Sequence, residues 1–341
     1  MTVPITNVGL KSGIQTEFGG PAAPVSLSSY YRGGANVPSG TSDGGYGPIA
    51  TSGQISMGTF RNTTKVTGPV WVTGGNLVTA RANHISGGAS SSSAMVSGGN
   101  PTSPLTSTEI FNGTSWTSSG NMATARVSAA GGGPTTSSVI IMGGYNNTSP
   151  NGTNTSETFG GSTWTNIATN PTTTRYTHGA CVNSGTTFAV FGGRNTSGTI
   201  IDTCDRYISG WLSGPIMSSA RANLQASGGI PSGISAGGNT GSLVTTTQIF
   251  NNTTWAAATA LPVATSGGAS AGSSTVAIIA GGIAPARTSG ALTFNGTTWT
   301  TINSMNIERS ENAMAGSATS AVVSGGRSNL TNPLNTCEKY Q

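Results

Sequence analysis

The sequence predicts an all-β fold: a six-bladed β-propeller closed by an N-terminal strand and preceded by a small N-terminal module. Two observations predict it. Gly-Gly pairs directly follow short apolar bursts at Gly98-Gly99, Gly143-Gly144, Gly192-Gly193, Gly237-Gly238, Gly281-Gly282 and Gly325-Gly326, in steps of 45, 49, 45, 44 and 44 residues. All six tryptophans keep the same period, Trp71, Trp116, Trp164, Trp211, Trp255 and Trp299, in steps of 45, 48, 47, 44 and 44. Four short antiparallel strands in each repeat of this length are the sequence pattern of a propeller blade.

Composition supports the class and excludes others. The 341 residues include 52 Gly and 16 Pro, and only 7% are charged, so hydroxyls and amides must wet the surface. Bursts such as Val139-Ile140-Ile141-Met142 and Val276-Ala277-Ile278-Ile279 are short and bounded by Gly-rich turns, which favours buried strands over helices. No stretch approaches the ~18 apolar residues of a membrane span, and Met1 to Gln15 holds no hydrophobic signal region. Membrane insertion and secretion by that route are therefore not expected. The 14 Lys+Arg against 9 Asp+Glu give a net charge of +5. The positives never form a basic run, so nucleic acid is not an expected partner.

The elements follow in order. Residues 1–66 lie outside the repeat and form a separate module, too short and Gly-rich to build much core, so it needs a partner or oligomerisation. Its aromatics Phe18, Tyr30, Tyr31 and Phe60 are the obvious docking groups. Residues 67–341 form the propeller. The first strand of each unit is made of small residues, as in Ser86-Gly87-Gly88-Ala89, Ala129-Ala130-Gly131-Gly132 or Gly267-Gly268-Ala269-Ser270, because six innermost strands converging on one axis leave little room. The second strand is the apolar burst ending at Gly-Gly, whose backbone angles residues with a Cβ resist. The third carries an aromatic, Phe111, Phe159, Tyr207, Phe250 or Phe294, four or five residues before Trp. The fourth follows Trp. Ten or eleven residues after five of the tryptophans stand Arg81, Arg126, Arg175, Arg221 and Arg309, with Thr265 in the remaining unit.

The ends fit together. After Gly325-Gly326 a Trp is due near position 343, beyond Gln341, whereas Trp71 has no Gly-Gly strand before it. The last blade is therefore expected to take three strands from about Ala313 to Tyr340 and its outer strand from about Pro69 to Thr73. Such closure removes the open edge between first and last blades.

The succession of apolar run, Gly-Gly, Glu-x-aromatic, Trp and Arg, as in Thr108-Glu109-Ile110-Phe111-Asn112-Gly113-Thr114-Ser115-Trp116, resembles the kelch repeat from about Thr67 to Gln341. The acidic position holds Glu109, Glu157, Asp205 and Glu338 but Gln248 and Leu292 in two units. Kelch propellers include binding scaffolds and a few enzymes, so the resemblance alone does not set the function. In the N-terminal module, the segments Ile14 to Gly20, Val25 to Gly34 and Ser52 to Arg61 resemble short elements of virion structural proteins of tailed bacteriophages, especially tail and fibre proteins of marine phages infecting cyanobacteria.

Chemistry offers little for catalysis. His84 and His178 share one repeat position two blades apart, where the other units place Ala129, Leu224, Gly268 and Asn312. That is no metal-ligand set, and they read as polar groups near the channel mouth. Cys204 and Cys337 are three blades apart, and a strand separates Cys181 from Cys204, so three free thiols are expected. A copper oxidase similar to galactose oxidase needs two His, Tyr ligands and a cross-linked Cys. A sialidase needs repeated Ser-x-Asp-x-Gly-x-x-Trp boxes, and Ser42-Asp43-Gly44-Gly45 is the only near match. Few carboxylates remain for an acid/base pair. No catalytic residue, cofactor or metal is expected.

The five arginines read as bonded to blade-turn carbonyls or to the acidic position; a ring holding anions is the competing arrangement. Asn-x-Ser/Thr triplets such as Asn112-Gly113-Thr114 and Asn295-Gly296-Thr297 fit hairpin turns between third and fourth strands.

The resemblances imply a non-enzymatic virion protein of the tail, neck or baseplate region, present as a homo-oligomer or in multiple copies. It would join other virion proteins through residues 1–66 and present loops to a host cell-surface receptor. The insertion from Tyr145 to Asn154, with Tyr145, Asn146, Asn147 and Asn151, is the first candidate contact loop, and Tyr176 the second. A purely architectural neck, baseplate or capsid-decoration protein and a glycan-degrading enzyme are the rival expectations.

Overall fold

The computed structural model describes residues 69–146, 152–168, 171, 173–328 and 332–341. Strand β1 is Trp71–Thr73. Blade 1 holds β2 (Ile85–Ser90), β3 (Ser93–Ser97), β4 (Thr108–Phe111) and β5 (Trp116–Ser119). Blade 2 holds β6 (Ala130–Thr135), β7 (Ser138–Met142), β8 (Ser156–Phe159) and β9 (Trp164–Asn166). Blade 3 holds β10 (Gly179–Ser184), β11 (Thr187–Phe191), β12 (Cys204–Ile208) and β13 (Trp211–Ser213). Blade 4 holds β14 (Gln225–Ser227), β15 (Gly233–Ala236), β16 (Thr247–Phe250) and β17 (Trp255–Ala258). Blade 5 holds β18 (Ala269–Gly272), β19 (Ala277–Ala280), β20 (Ala291–Phe294) and β21 (Trp299–Ile302). Blade 6 comprises β22 (Ala313–Gly316), β23 (Ala321–Ser324) and β24 (Cys337–Tyr340), with sheet order β1-β24-β23-β22.

The fold is thus an all-β propeller of six four-stranded antiparallel blades, the last completed by the strand that opens the repeat. By its contacts the chain falls into two units. One is Gly74–Lys339, and the other includes Trp71–Thr73 with Tyr340 and Gln341. In the latter, Val70 N–H donates to Gln341 O at 2.9 Å, Gln341 N–H returns to Val70 O at 3.1 Å, and the Trp71 and Tyr340 rings lie 5.0 Å apart. Inside the larger unit, Gly74 N–H donates to Cys337 O and Leu77 N–H to Asn335 O.

Side-chain size sorts the strands. The apolar second strands are buried over both faces, as in Ser138–Met142, because a neighbouring blade covers each side. The core is a set of inter-blade clusters. One joins Ile85, Met95 and Met122 of blade 1 and its exit loop to Val139, Ile141 and Phe159 of blade 2. Another joins Ala94, Val96, Phe111 and Trp116 to Ala315, Val322 and Cys337, so blades 6 and 1 share a core like the other pairs. Third-strand aromatics sit in register with the tryptophans, Phe111 opposite Trp116 with ring centroids 4.9 Å apart. The small-residue segments begin before the strands themselves: Ala129 and Gly267-Gly268 precede β6 and β18, in a mouth segment with its own geometry.

Candidate functional site

Five of the six repeats build a joint around an arginine. The side chain serves its own blade: Arg126 Nη1 donates to Gly143 O at 3.0 Å and Thr155 O at 2.9 Å, and Nη2 meets Glu157 Oε1 at 2.7 Å. The main chain serves the preceding blade, since Gly99 N–H donates to Arg126 O at 2.9 Å. Glu157 also accepts Ala123 N–H and Thr124 N–H, which fixes the loop entering the blade. Arg81–Glu109, Arg175–Asp205 and Arg309–Glu338 repeat the pair.

All five guanidiniums are fully buried and present nothing to a solvent anion. In blade 4, Arg221 meets Gln248 Oε1 at 2.8 Å instead of a carboxylate. Burial there pulls its pKa down to about 10. Blade 5 replaces both partners, Thr265 standing for the cation and Leu292 for the anion, and Leu292 joins the apolar cluster of Ala236, Leu261 and Ile279.

Two residues beyond each arginine, or Thr265, lies a second joint. Asn83, Ser128, Thr177, Asn223, Gly267 and Glu311 all adopt left-handed φ between 51° and 65°. Each donates its N–H to the carbonyl of its counterpart in the preceding blade, and the circle closes with Asn83 N–H to Glu311 O at 2.8 Å. Six backbone hydrogen bonds in this head-to-tail ring form the mouth of the central channel. At the closing joint, Glu311 Oε2 also accepts from Asn83 Nδ2 and Arg327 Nε, each at 2.9 Å.

On the mouth side, Val127 bridges Tyr145, and Tyr176 bridges Arg194. Tyr176 lies against the blade 2 loop, because a Cβ on Gly152 would stand 3.4 Å from its Cδ1. The structure therefore brings Tyr145, Asn146 and Tyr176 to neighbouring loops of blades 2 and 3, with Arg194 Nη1 donating to Gly198 O beside them at 2.7 Å. Asn147 and Asn151 lie outside the described residues, as do Phe18, Tyr30, Tyr31 and Phe60 and the whole 1–66 module.

The six tryptophans begin the fourth strands. Trp164 Nε1 donates to Thr108 Oγ1 of blade 1 at 2.8 Å, and Trp299 Nε1 to Thr247 Oγ1 of blade 4 at 3.2 Å, so the indoles also link blades. Asn112 and Asn295 make the hairpin turns, their Oδ1 atoms accepting backbone N–H groups two and three residues on.

The histidines and cysteines among the described residues are withdrawn into the fold. His84 and His178 are buried, and desolvation holds both well below the ordinary histidine range, with Arg81 and Arg309 adding to the effect at His84 and Arg175 at His178. Cys181, Cys204 and Cys337 are buried free thiols. Burial pushes Cys204 and Cys337 up to about 12 and raises Cys181 further, so thiolate is scarce at neutral pH.

The carboxylates of Glu109, Glu157, Asp205 and Glu338 are spent on the blade arginines and that of Glu311 on Arg327, which leaves Asp202 and Glu308 among the described residues. The described residues hold no cluster of three His, Cys, Asp or Glu able to grip a metal.

Sequence reasoning missed the mouth ring. Its six side chains share no chemistry, and the only signal was a fixed offset at which three of the six, Asn83, Asn223 and Gly267, are types that tolerate left-handed φ. No protein-family model and no curated protein sequence matches the chain.

Proposed function

We propose that the chain is a kelch-type propeller serving as a non-enzymatic virion protein of a tailed bacteriophage, and that its mouth-side loops contact the host cell surface. One observation carries the binding role. Tyr145 and Tyr176 stand half-buried on adjacent loops of blades 2 and 3, and neither side chain belongs to the arginine joints or to the mouth ring. Aromatic side chains on loops held by a rigid scaffold suit recognition of a glycan or protein. The kelch assignment rests on the recurring Gly-Gly, acidic, Trp and Arg positions and their shared bonding. The virion assignment rests on the resemblance of residues 1–66 to tail and fibre proteins, a segment that would join neighbouring virion proteins.

The test is competition for adsorption. Purified full-length chain should block attachment of the phage that carries it. Tyr145→Ser combined with Tyr176→Ser should weaken that block at least tenfold without changing the melting temperature. A wild-type chain that never competes would leave an architectural role, and release of sugar from host envelope material would make it an enzyme.

A further inference from the structure

The loops around Tyr176 carry a cation that no carboxylate meets. Arg194 directly follows the Gly192-Gly193 pair and exchanges backbone hydrogen bonds with Tyr176. Tyr176 N–H donates to Arg194 O at 3.0 Å, and Arg194 N–H returns to Tyr176 O at 2.9 Å. Residues paired in this way across antiparallel backbone carry their side chains on one face. The two side chains also converge on Gly198. Its carbonyl accepts Arg194 Nη1 at 2.7 Å, and a Cβ on it would stand 3.8 Å from the Tyr176 hydroxyl oxygen.

Pinning Nη1 leaves the other edge of the guanidinium open. Nε and Nη2 point to one side of the fork, where a carboxylate can accept two parallel bonds. In Arg194 neither makes a hydrogen bond or ion pair among the described residues, and the side chain is only half-buried. The blade arginines differ, because Nε of Arg175, Arg221 and Arg309 is sealed and unmet, whereas no side-chain polar atom of Arg194, Tyr145 or Tyr176 is sealed in that way. At the same repeat position in blade 6, Arg327 already has an acid, Glu311, at 2.9 Å. Glycine keeps the neighbouring phenol bare. Gly152 and Gly198 hold φ of 85° and 78°, and a Cβ on Gly152 would stand 3.4 Å from Tyr176 Cδ1, so a side chain there would crowd the ring. Blade 2 joins this face where Thr153 N–H donates to Gly144 O at 2.8 Å, and Tyr145 follows directly.

We propose that Arg194 and Tyr176 bind an acidic sugar unit, a hexuronate whose carboxylate sits on the Nε–Nη2 edge and whose ring lies against the phenol, with Tyr145 as a neighbouring contact. This rests on the reading that the mouth-side loops contact the host surface, and it names the class of ligand they take. A single unpaired cation suits a monoanion, and a bidentate charge-assisted pair is the strong form of that contact. Tyrosine offers an apolar face to sugar C–H groups beside a hydroxyl that donates and accepts. An acidic peptide binding as an added strand needs a free backbone edge. Here the backbone of Arg194 is already bridged to Tyr176 on one side and to Ile200 on the other.

The experiment is an NMR titration of the full-length chain with methyl glucuronide, with methyl glucoside as the same ring lacking the carboxylate, and with inorganic phosphate and a hexaglutamate peptide. The glucuronide should bind about tenfold or more tightly than the glucoside, and added salt should shrink that advantage. Arg194→Gln should abolish the advantage, and Arg194→Lys, which keeps the charge but loses the fork, should lose most of it. Equal affinity for the two glycosides, no binding of the glucuronide, an advantage that survives Arg194→Gln, or tighter binding of phosphate or hexaglutamate would each overturn the assignment. The comparison of glycosides on the wild-type chain decides the matter even where a variant fails to fold. Adsorption separates this proposal from the reading beneath it. If Arg194→Gln blocks phage attachment as well as wild type while the double tyrosine variant does not, the loops contact the host through another chemistry and the acidic-sugar assignment falls alone.

Discussion

Glu157 is buried with Arg126 as its cation, and the consequences of separating them are large. Arg126→Met would strand an uncompensated carboxylate, for which about 3–5 kcal/mol of destabilisation is expected in urea unfolding. Blade 5 already contains a neutral solution, Thr265 with Leu292. Arg126→Thr combined with Glu157→Leu should therefore cost markedly less than the sum of the two single changes, and additive losses would refute the pairing.

Protonation gives a second expectation at this scale. Burial keeps His84 and His178 neutral when folded, whereas in the unfolded chain they take up protons near pH 6.5. Their contribution is complete above that pH and declines as pH falls below it, by about 1.4 kcal/mol per pH unit for each histidine, until the lowered folded value is reached. The urea midpoint should drop as pH is lowered from 6.5 toward about 5, above most carboxylate titrations. Replacing both by Asn, the residue blade 6 uses there, should flatten that slope.

Among elements, the Gly-Gly turn is the one whose chemistry the sequence revealed most fully. Gly143 and Gly144 have φ of 67° and 92°, and a Cβ on Gly144 would meet Val127 O at 2.9 Å and Ala129 Cβ at 2.8 Å. Gly144→Ala is expected to cost about 2 kcal/mol or more, from strain and from displacement of the N–H that Arg175 O accepts. A thermal melt unchanged by that substitution would show that the turn tolerates other geometry.

The strand pattern was legible because hydrophobic bursts, aromatic and Trp recur in phase. The arginine joint was legible as a choice between carbonyls and carboxylate, and the structure has both. Glu311 carries no mark in its local sequence of a residue held at a left-handed φ, so its place in the mouth ring was not legible.

In the whole molecule, these joints form two circles. The second glycine of each pair donates to the following blade's arginine or Thr265 carbonyl, ending with Gly326 N–H to Arg81 O at 2.9 Å, and the mouth ring ends with Asn83 N–H to Glu311 O. Blades 6 and 1, far apart in sequence, are joined by the same bonds as consecutive blades, and a closed ring leaves neither blade with an uncovered face there. Rigid support for the mouth-side loops and a permanent channel both depend on that closure. Amide hydrogen exchange on the full-length chain tests it most directly. The account predicts that Gly326 and Asn83 exchange as slowly as their counterparts Gly144 and Ser128. Exchange of Gly326 and Asn83 at the rate of exposed hairpin amides such as Thr114, while Gly144 and Ser128 stay protected, would contradict a closed six-bladed ring.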